Sequence, residues 1–296
     1  MSIPVPPLLT GLIDDAAVFP PGSAPLDQAI EAHRGHRAAW YSPLVGPLLI
    51  PAIDVNALAA LAGRAPLPEV GLVGELPAIL RALDALPDGI AVRQIECPVA
   101  KRGEDPLPGL AALIGAPFAE GAAAEGAAAE GTRVAPVPVY AETPLTWGLM
   151  GALDRLAEAR AGGVGIAPKF RTGGVAAELF PTPVELAAVI CACRDRGLPF
   201  KLTAGLHHAV RQHDLETGLV HHGFLNVLVA ALAAADGAEP VDLAEILGGI
   251  DPVPLADRAC ASLNVERPLW IGFGSCSVAD PLRDLTVLGL LPEAPA

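Results

Sequence analysis

The sequence predicts an α/β protein with a parallel (β/α)8-like barrel, and two observations support this fold class. Apolar runs rich in valine and isoleucine, bounded by glycine and proline, alternate with alanine- and leucine-rich segments of helical period. The length of 296 residues suits a barrel built around a single core. We therefore expect one domain that spans residues 1–296.

Seven strands are predicted, and helical segments lie between them. The strands are Pro47–Pro51, Glu69–Glu75, Ile90–Cys97, Val134–Glu142, Val164–Arg171, Pro199–Leu206 and Leu269–Gly274. The helices are Val55–Gly63, Leu76–Leu86, Thr146–Ala161, Pro183–Gly197 and Gly223–Ala235. Because helices and strands alternate, the connections are crossovers and the sheet is expected to be parallel.

Two regions complicate the strand count. A closed barrel needs an eighth strand, and residues 237–265, rich in Pro, Asp and Gly, contain no clear one, so we expect a short strand there or an irregular barrel. The N-terminal segment with Asp14 and Asp15 is too polar in its middle for a core strand, and a loop plug against the barrel is the preferred interpretation. Residues 119–131, a repeated AEGAA unit, are interpreted as a low-complexity insertion without a function.

Composition excludes several classes of partner. The chain carries 33 acidic and 19 basic residues, a net charge of −14, which argues against binding to nucleic acid or to an anionic membrane. The longest apolar stretches are interrupted before they reach membrane-spanning length, and no basic targeting region is recognised. Five irregularly spaced cysteines fit a reducing compartment. We expect a cytoplasmic protein that binds a small anionic metabolite.

Two predicted strands carry lysines on the face expected to line the barrel. Lys169 and Arg171 lie on one face of their strand and indicate an anion-binding site at its carboxyl end, or else an exposed basic strand end. Lys201 and Thr203 share a face of the next strand. A lysine in mid-strand must be paired or lose its proton, so Lys201 is either a Schiff-base nucleophile or one side of an ion pair with Glu142 or Glu96.

Other polar residues follow or end the predicted strands. Five of the seven histidines lie between residues 207 and 222, and His207 or His208 is expected to act as acid, base or ligand. His222 and Asn226 are expected on one helix face, where they close the site or cap the loop. Glu96 and Glu142 are candidate proton relays, and Gly274 with Ser275 resembles the closing loops that bind phosphate in barrels.

The segment Lys201-Leu202-Thr203-Ala204-Gly205-Leu206 resembles the Schiff-base strand of deoxyribose-phosphate aldolase-like class I aldolases. In that family the lysine is followed by a hydroxyl residue two positions later and by glycine four positions later. The resemblance covers one strand and implies that Lys201 forms an imine and that residues 272–275 bind phosphate. The chain departs from the family in that its second lysine, Lys169, precedes the Schiff-base strand and that no aspartate matches the proton relay.

Three functions agree with these residues. The first is a cofactor-independent lyase or aldolase that acts on a small anionic carbonyl compound, with Lys201 as nucleophile, Lys169 and Arg171 binding charge, and Glu142 and a histidine moving protons. The second is a metal-dependent hydrolase or lyase in which His207 or His208, His222 and a carboxylate bind a divalent cation. The third is a non-catalytic protein that binds a small carboxylate or phosphate.

Overall fold

The structure, a computed structural model, describes residues 5–61, 68–86, 89–118 and 137–293. Its strands are β1 (Ile13–Asp15), β2 (Val45–Pro51), β3 (Val70–Val73), β4 (Val92–Pro98), β5 (Val139–Glu142), β6 (Ile166–Arg171), β7 (Phe200–Thr203), β8 (Gln212–His213), β9 (Val220–His221) and β10 (Trp270–Ser275). Eight of them close into a barrel in the order β1-β10-β7-β6-β5-β4-β3-β2, and β8 and β9 form a separate antiparallel hairpin. The predicted barrel is therefore confirmed.

Helices follow the strands along the chain. They are α1 (Leu26–Ala38), α2 (Val55–Leu61), α3 (Leu76–Asp84), α4 (Pro106–Ile114), α5 (Leu149–Ala161), α6 (Pro183–Arg194), α7 (Phe224–Ala235), α8 (Pro240–Gly248), α9 (Pro252–Ala261) and α10 (Ala279–Val287). In the described segments no helix has both the length and the apolar character that crossing a membrane requires.

Several helices begin at a polar residue followed by proline. Thr182 caps α6 through the backbone N–H of Glu185, whose side chain returns to the Thr182 N–H, and Pro183 occupies the first helical position. Asp105 before α4 and Asp251 before α9 accept a backbone N–H in the same way. Such a cap satisfies a donor that the helix leaves free, and proline has no N–H to lose there. These start signals involve only residues close together in the chain, so they can be recognised in the sequence.

The chain forms two compact units. The first unit comprises Met1–Asp15, Gly35–Gly46 and Arg171–Ala296, and the second comprises Ala16–Arg34 and Pro47–Phe170. In the first unit β10 pairs in parallel with β1 on one side and with β7 on the other. In the second unit β2, β3, β4, β5 and β6 pair in parallel in chain order.

Alternation along the strands separates apolar from polar side chains in the first unit. Ile13, Phe273 and Leu202 are paired across β1, β10 and β7, and Phe273 stacks on Phe224 of α7 at 5.7 Å. Paired residues of parallel strands point to the same side of the sheet, so this row faces the helices. Asp14, Gly274 and Thr203 form the next row and therefore face away from the helices.

The missing eighth strand is β1, and the interpretation of its segment as a loop plug was wrong. Residues 237–265 contribute α8 and α9 and no strand. The segment with Asp14 and Asp15 is a barrel strand rather than a loop plug, and both aspartates are buried. A polar strand is compatible with burial here because Lys201 neutralises Asp14.

The other predicted elements are confirmed, with bounds that differ by a few residues. All seven predicted strands have a counterpart, and α7 begins at Phe224, one residue after its expected start. The predicted insertion at 119–131 lies outside the described residues, as do residues 134–136 of the expected strand Val134–Glu142.

Candidate functional site

Lys201 of β7 and Asp14 of β1 form a buried ion pair. The side chain of Lys201 is 2% exposed and that of Asp14 is 8% exposed, and Lys201 Nζ donates to Asp14 Oδ2. Strand β10 lies between the two strands that carry them, and its Gly274, paired with Asp14 and with Thr203, has no side chain. Lys201 pairs with Gly272 of the same strand, so neither β10 residue beside the ion pair carries a side chain. From the sequence, Glu142 or Glu96 was the expected partner of Lys201, and Asp14 was not expected.

Glycines surround this pair closely. A Cβ at Gly46 would lie 1.9 Å from Asp14 Oδ1, so only glycine fits beside that carboxylate. Gly272 has a φ of 149°, and a Cβ there would lie 2.6 Å from the carbonyl oxygen of Leu12. Both positions bring backbone close to β1, and they hold Asp14 in one position against β10.

Arg267 ties the segment before β1 to the start of β10. Its guanidinium donates to the carbonyl oxygens of Leu8 and Thr10 on one side and of Trp270 and Ile271 on the other. Burial lowers the pKa of Arg267 to about 10, although the nearby Asp14 carboxylate opposes that change. Arg267 therefore holds the segment that leads into the strand of Asp14, a role that no sequence pattern indicated.

The second unit contains a different buried cluster around Lys169 of β6. Lys169 Nζ lies 2.7 Å from Glu96 Oε2 and 2.7 Å from Glu142 Oε2. Gln94 donates to the other oxygen of Glu96 at 3.0 Å. Glu142 is paired with Lys169 in the register of β5 and β6, and Tyr140 pairs with Glu96, which puts Tyr140 and Glu142 on the same face as expected.

This cluster holds one cation and two carboxylates. The side chains of Lys169 and Glu96 are 3% and 1% exposed, and that of Glu142 is 19% exposed. Burial by itself would lower the pKa of Lys169, but the charges of Glu142 and Glu96 and their hydrogen bonds outweigh it and raise the pKa. The two carboxylates thus keep Lys169 protonated, and its expected role in binding an anion stays a prediction.

His207 and His208, the two histidines that follow β7, each contact a polar side chain. His207 Nδ1 lies 3.7 Å from Cys276 Sγ, and His208 Nδ1 lies 3.3 Å from Asp284 Oδ2 of α10. Burial lowers the pKa of His207, and the neighbouring His221 and His208 lower it further. His207 is therefore neutral near pH 7 and able to accept a proton. His207 was expected from the sequence as an acid, base or ligand, whereas Cys276 was not expected at the site.

His222 and Asn226 hold the loop between β7 and α7. His222 is buried before the helix and not on its face, with Nε2 2.7 Å from the carbonyl oxygen of Pro181. Asn226 accepts from the Arg211 N–H and donates to the carbonyl oxygens of Ile246 and Gly249. Burial lowers the pKa of His222 to about 4. Of the two expected roles, these contacts correspond to capping the loop.

The remaining predicted residues lie at strand ends. Arg171 is exposed at the end of β6, in contrast to the buried Lys169. The Thr203 carbonyl oxygen accepts from the backbone N–H and the hydroxyl of Thr172. Ser275 is buried and donates to the Ser277 carbonyl oxygen at 2.7 Å. A phosphate or substrate at these residues stays a prediction.

Among the described residues, no group of three or more His, Cys, Asp or Glu side chains is placed to hold a metal ion. All five cysteines are free thiols. The metal-dependent hypothesis therefore still depends on elemental analysis of the purified protein.

Comparisons with known proteins do not assign a family. No family model matches the chain, and no curated protein matches it. Among solved structures, 7,8-dihydropteroate synthase from Vibrio fischeri ES114 is similar, with a TM-score of 0.44 and 12% sequence identity over 98% of this chain and 96% of that chain. A similarity of this size carries no argument about function. The resemblance to the deoxyribose-phosphate aldolase family stays a prediction from the sequence.

Proposed function

We propose that the protein is a lyase of the aldolase type that binds a small anionic carbonyl compound as a Schiff base on Lys201. The buried ion pair between Lys201 and Asp14 carries this proposal. An imine-forming lysine needs a partner that accepts and returns its proton. Asp14 supplies such a carboxylate, for which the resemblance to the aldolase strand offered no match.

The pair accounts for each proton in imine formation. Asp14 accepts a proton from the Lys201 ammonium, and the free amine attacks the carbonyl carbon. The C–N bond forms as the C=O π bond breaks, and the attacking nitrogen gives one proton to the carbonyl oxygen, which becomes a hydroxyl. Asp14 then returns a proton to that hydroxyl, which leaves as water and produces the iminium ion. The iminium withdraws electrons from the adjacent C–C bond, so the lysine itself supplies the electron sink.

Charge elsewhere in the first unit agrees with an anionic substrate. Arg171 is exposed at the end of β6, where barrels bind their substrates. The chain as a whole has a net charge of −14, so an anion must be attracted locally. In this proposal Arg171 supplies that attraction and His207 or His208 moves protons on the substrate.

Borohydride trapping tests the proposal directly. The chain has three lysines, Lys101, Lys169 and Lys201. Incubation with borohydride and a panel of small carbonyl compounds, including pyruvate and glyceraldehyde 3-phosphate, should add one substituent, which peptide mass spectrometry should locate on Lys201. Trapping on Lys201 without turnover of any trapped compound would indicate a binding protein instead of a lyase.

Matched variants separate chemistry from folding. Lys201→Arg keeps the charge opposite Asp14 but cannot form an imine, so trapping should disappear while the melting temperature changes little. Asp14→Asn should slow trapping about 10²-fold or more, because it removes the proton acceptor. Lys101→Arg, a change at an exposed position, should trap like the parent protein. Equal labelling of Lys201 and Lys101 would overturn the proposal.

A further inference from the structure

A second reactive group lies where β10 leads into α10. Cys276 follows Ser275, the last residue of β10, and precedes Ala279, the first residue of α10. Its thiol lies 3.7 Å from Nδ1 of His207, which follows β7, the neighbour of β10 in the sheet. Both residues are half-buried, so a small molecule can reach them.

The surroundings of Cys276 provide a base for its thiol. His207 is neutral, because burial and the nearby His221 and His208 lower its pKa while Asp280 opposes that change only in part. A neutral imidazole beside a thiol is able to take its proton. The N-terminus of α10, three residues further along the chain, adds a partial positive charge that favours an anion.

The other four cysteines differ from Cys276 and provide controls within the same chain. Cys97, Cys191 and Cys193 are buried, and burial raises the pKa of Cys97 and of Cys193 to about 12. Cys260 is exposed, and the structure gives its thiol no hydrogen bond among the described residues. Cys260 therefore reports how an accessible thiol without a histidine partner reacts.

We propose that Cys276 and His207 form a nucleophile and base pair that accepts acyl groups from small activated esters or thioesters. His207 Nδ1 takes the thiol proton, and the sulfur attacks the acyl carbon. The C–S bond forms as the alkoxide or thiolate leaving group departs, and the leaving group takes the proton from His207. The product is S-acylated Cys276. This activity goes beyond the proposed function and does not involve Lys201.

Acetylation by p-nitrophenyl acetate tests the proposal. The expected result is a burst of about one equivalent of p-nitrophenolate, with the acetyl group on Cys276. Cleavage after Glu266 separates Cys276 from Cys260 for mass spectrometry. Cys276 should react at least about 10-fold faster than Cys260, and His207→Gln should slow Cys276 about 10- to 100-fold without changing Cys260, because only Cys276 loses its base.

Two control variants make the result decisive. His213→Gln alters an exposed histidine of the β8–β9 hairpin and should leave the burst unchanged. Lys201→Arg should also keep the burst, so that failure of the Schiff-base proposal and failure of this one are distinguishable. The Cys260 rate and a thermal melt verify that each variant is folded. A Cys276 rate no greater than that of Cys260, or one that His207→Gln leaves unchanged, would overturn the proposal.

Discussion

The two buried lysines of this protein have different surroundings. Lys201 forms an ion pair with Asp14, whereas Lys169 lies 2.7 Å from a carboxylate oxygen of Glu96 and 2.7 Å from one of Glu142. In the proposed function Asp14 exchanges a proton with Lys201 and releases its amine as a nucleophile. Glu96 and Glu142 hold the proton on Lys169, and the pKa of Lys169 is raised accordingly. The comparison indicates that burial alone does not identify a reactive lysine and that its acidic partners must be considered.

The largest expected effect comes from removing the cation shared by two carboxylates. Lys169→Met leaves Glu96 and Glu142 without their cation, and breaking a buried ion pair in this way costs about 3–5 kcal/mol in the free energy of unfolding. Urea unfolding monitored by circular dichroism measures the loss. Lys201→Met, which removes this cation from Asp14, should lose less stability.

The control for this comparison is Lys101→Met, an exposed change expected to stay within about 0.5 kcal/mol of the parent protein. Adding Glu96→Gln to Lys169→Met should recover part of the lost free energy of unfolding, since it removes one of the two carboxylate charges left without a cation. Equal losses for Lys169→Met and Lys201→Met would contradict the distinction between the two lysines.

The buried His222 differs from the two lysines, because its ring contacts a guanidinium and a carbonyl oxygen and no carboxylate is among these contacts. The ring of His222 contacts the Pro181 carbonyl oxygen and the Arg211 guanidinium, and burial, the largest cause, lowers its pKa from 6.5 to about 4. Because the pKa in the folded state is below that in the unfolded state, the contribution to stability is present above pH 6.5. It is lost as the pH falls towards 4, and the shift corresponds to about 3 kcal/mol.

Urea unfolding of the parent protein and of His222→Gln between pH 4 and pH 7 measures this contribution. The glutamine amide can still donate to the Pro181 carbonyl oxygen, but it does not titrate, so the variant should lose less stability on acidification. His213→Gln, at an exposed position, should follow the parent curve. Parallel curves for His222→Gln and the parent would show that His222 is not held neutral in the folded protein.

The smallest expected effects concern the glycine beside Asp14. A Cβ at Gly46 would lie 1.9 Å from Asp14 Oδ1, so Gly46→Ala must displace the carboxylate and should cost about 1–3 kcal/mol. Gly35→Ala is the matched control, because Gly35 lies within α1 with open space around it, and alanine there should stabilise by about 0.5–1 kcal/mol.

Both changes are measured as shifts in the urea midpoint, and borohydride trapping adds a functional measurement. Gly46→Ala should slow trapping on Lys201 more than the loss of stability alone explains, since it moves the carboxylate that is paired with that lysine. A Gly46→Ala protein with unchanged trapping would separate the position of Asp14 from the reactivity of Lys201.

Most of the barrel could be predicted from the sequence because its signals are local. The seven predicted strands are short apolar runs, and alternation of faces correctly placed Lys201 opposite the row that contains Leu202. The first strand was missed because Asp14 and Asp15 make it polar, and a polar segment becomes a buried strand only when a distant residue neutralises it. Here that residue is Lys201, 187 positions away.

The sequence by itself determined the fold class, the face on which each lysine lies, and the cluster of histidines after β7. The tertiary structure decided which acid each lysine meets, that His207 contacts Cys276 and His208 contacts Asp284, and that His222 and Asn226 hold a loop. The physical reason is that hydrophobic periodicity acts over a few residues, whereas an ion pair depends on which strands become neighbours. In this protein β1 lies beside β10, which lies beside β7, and this strand order brings Asp14 to Lys201.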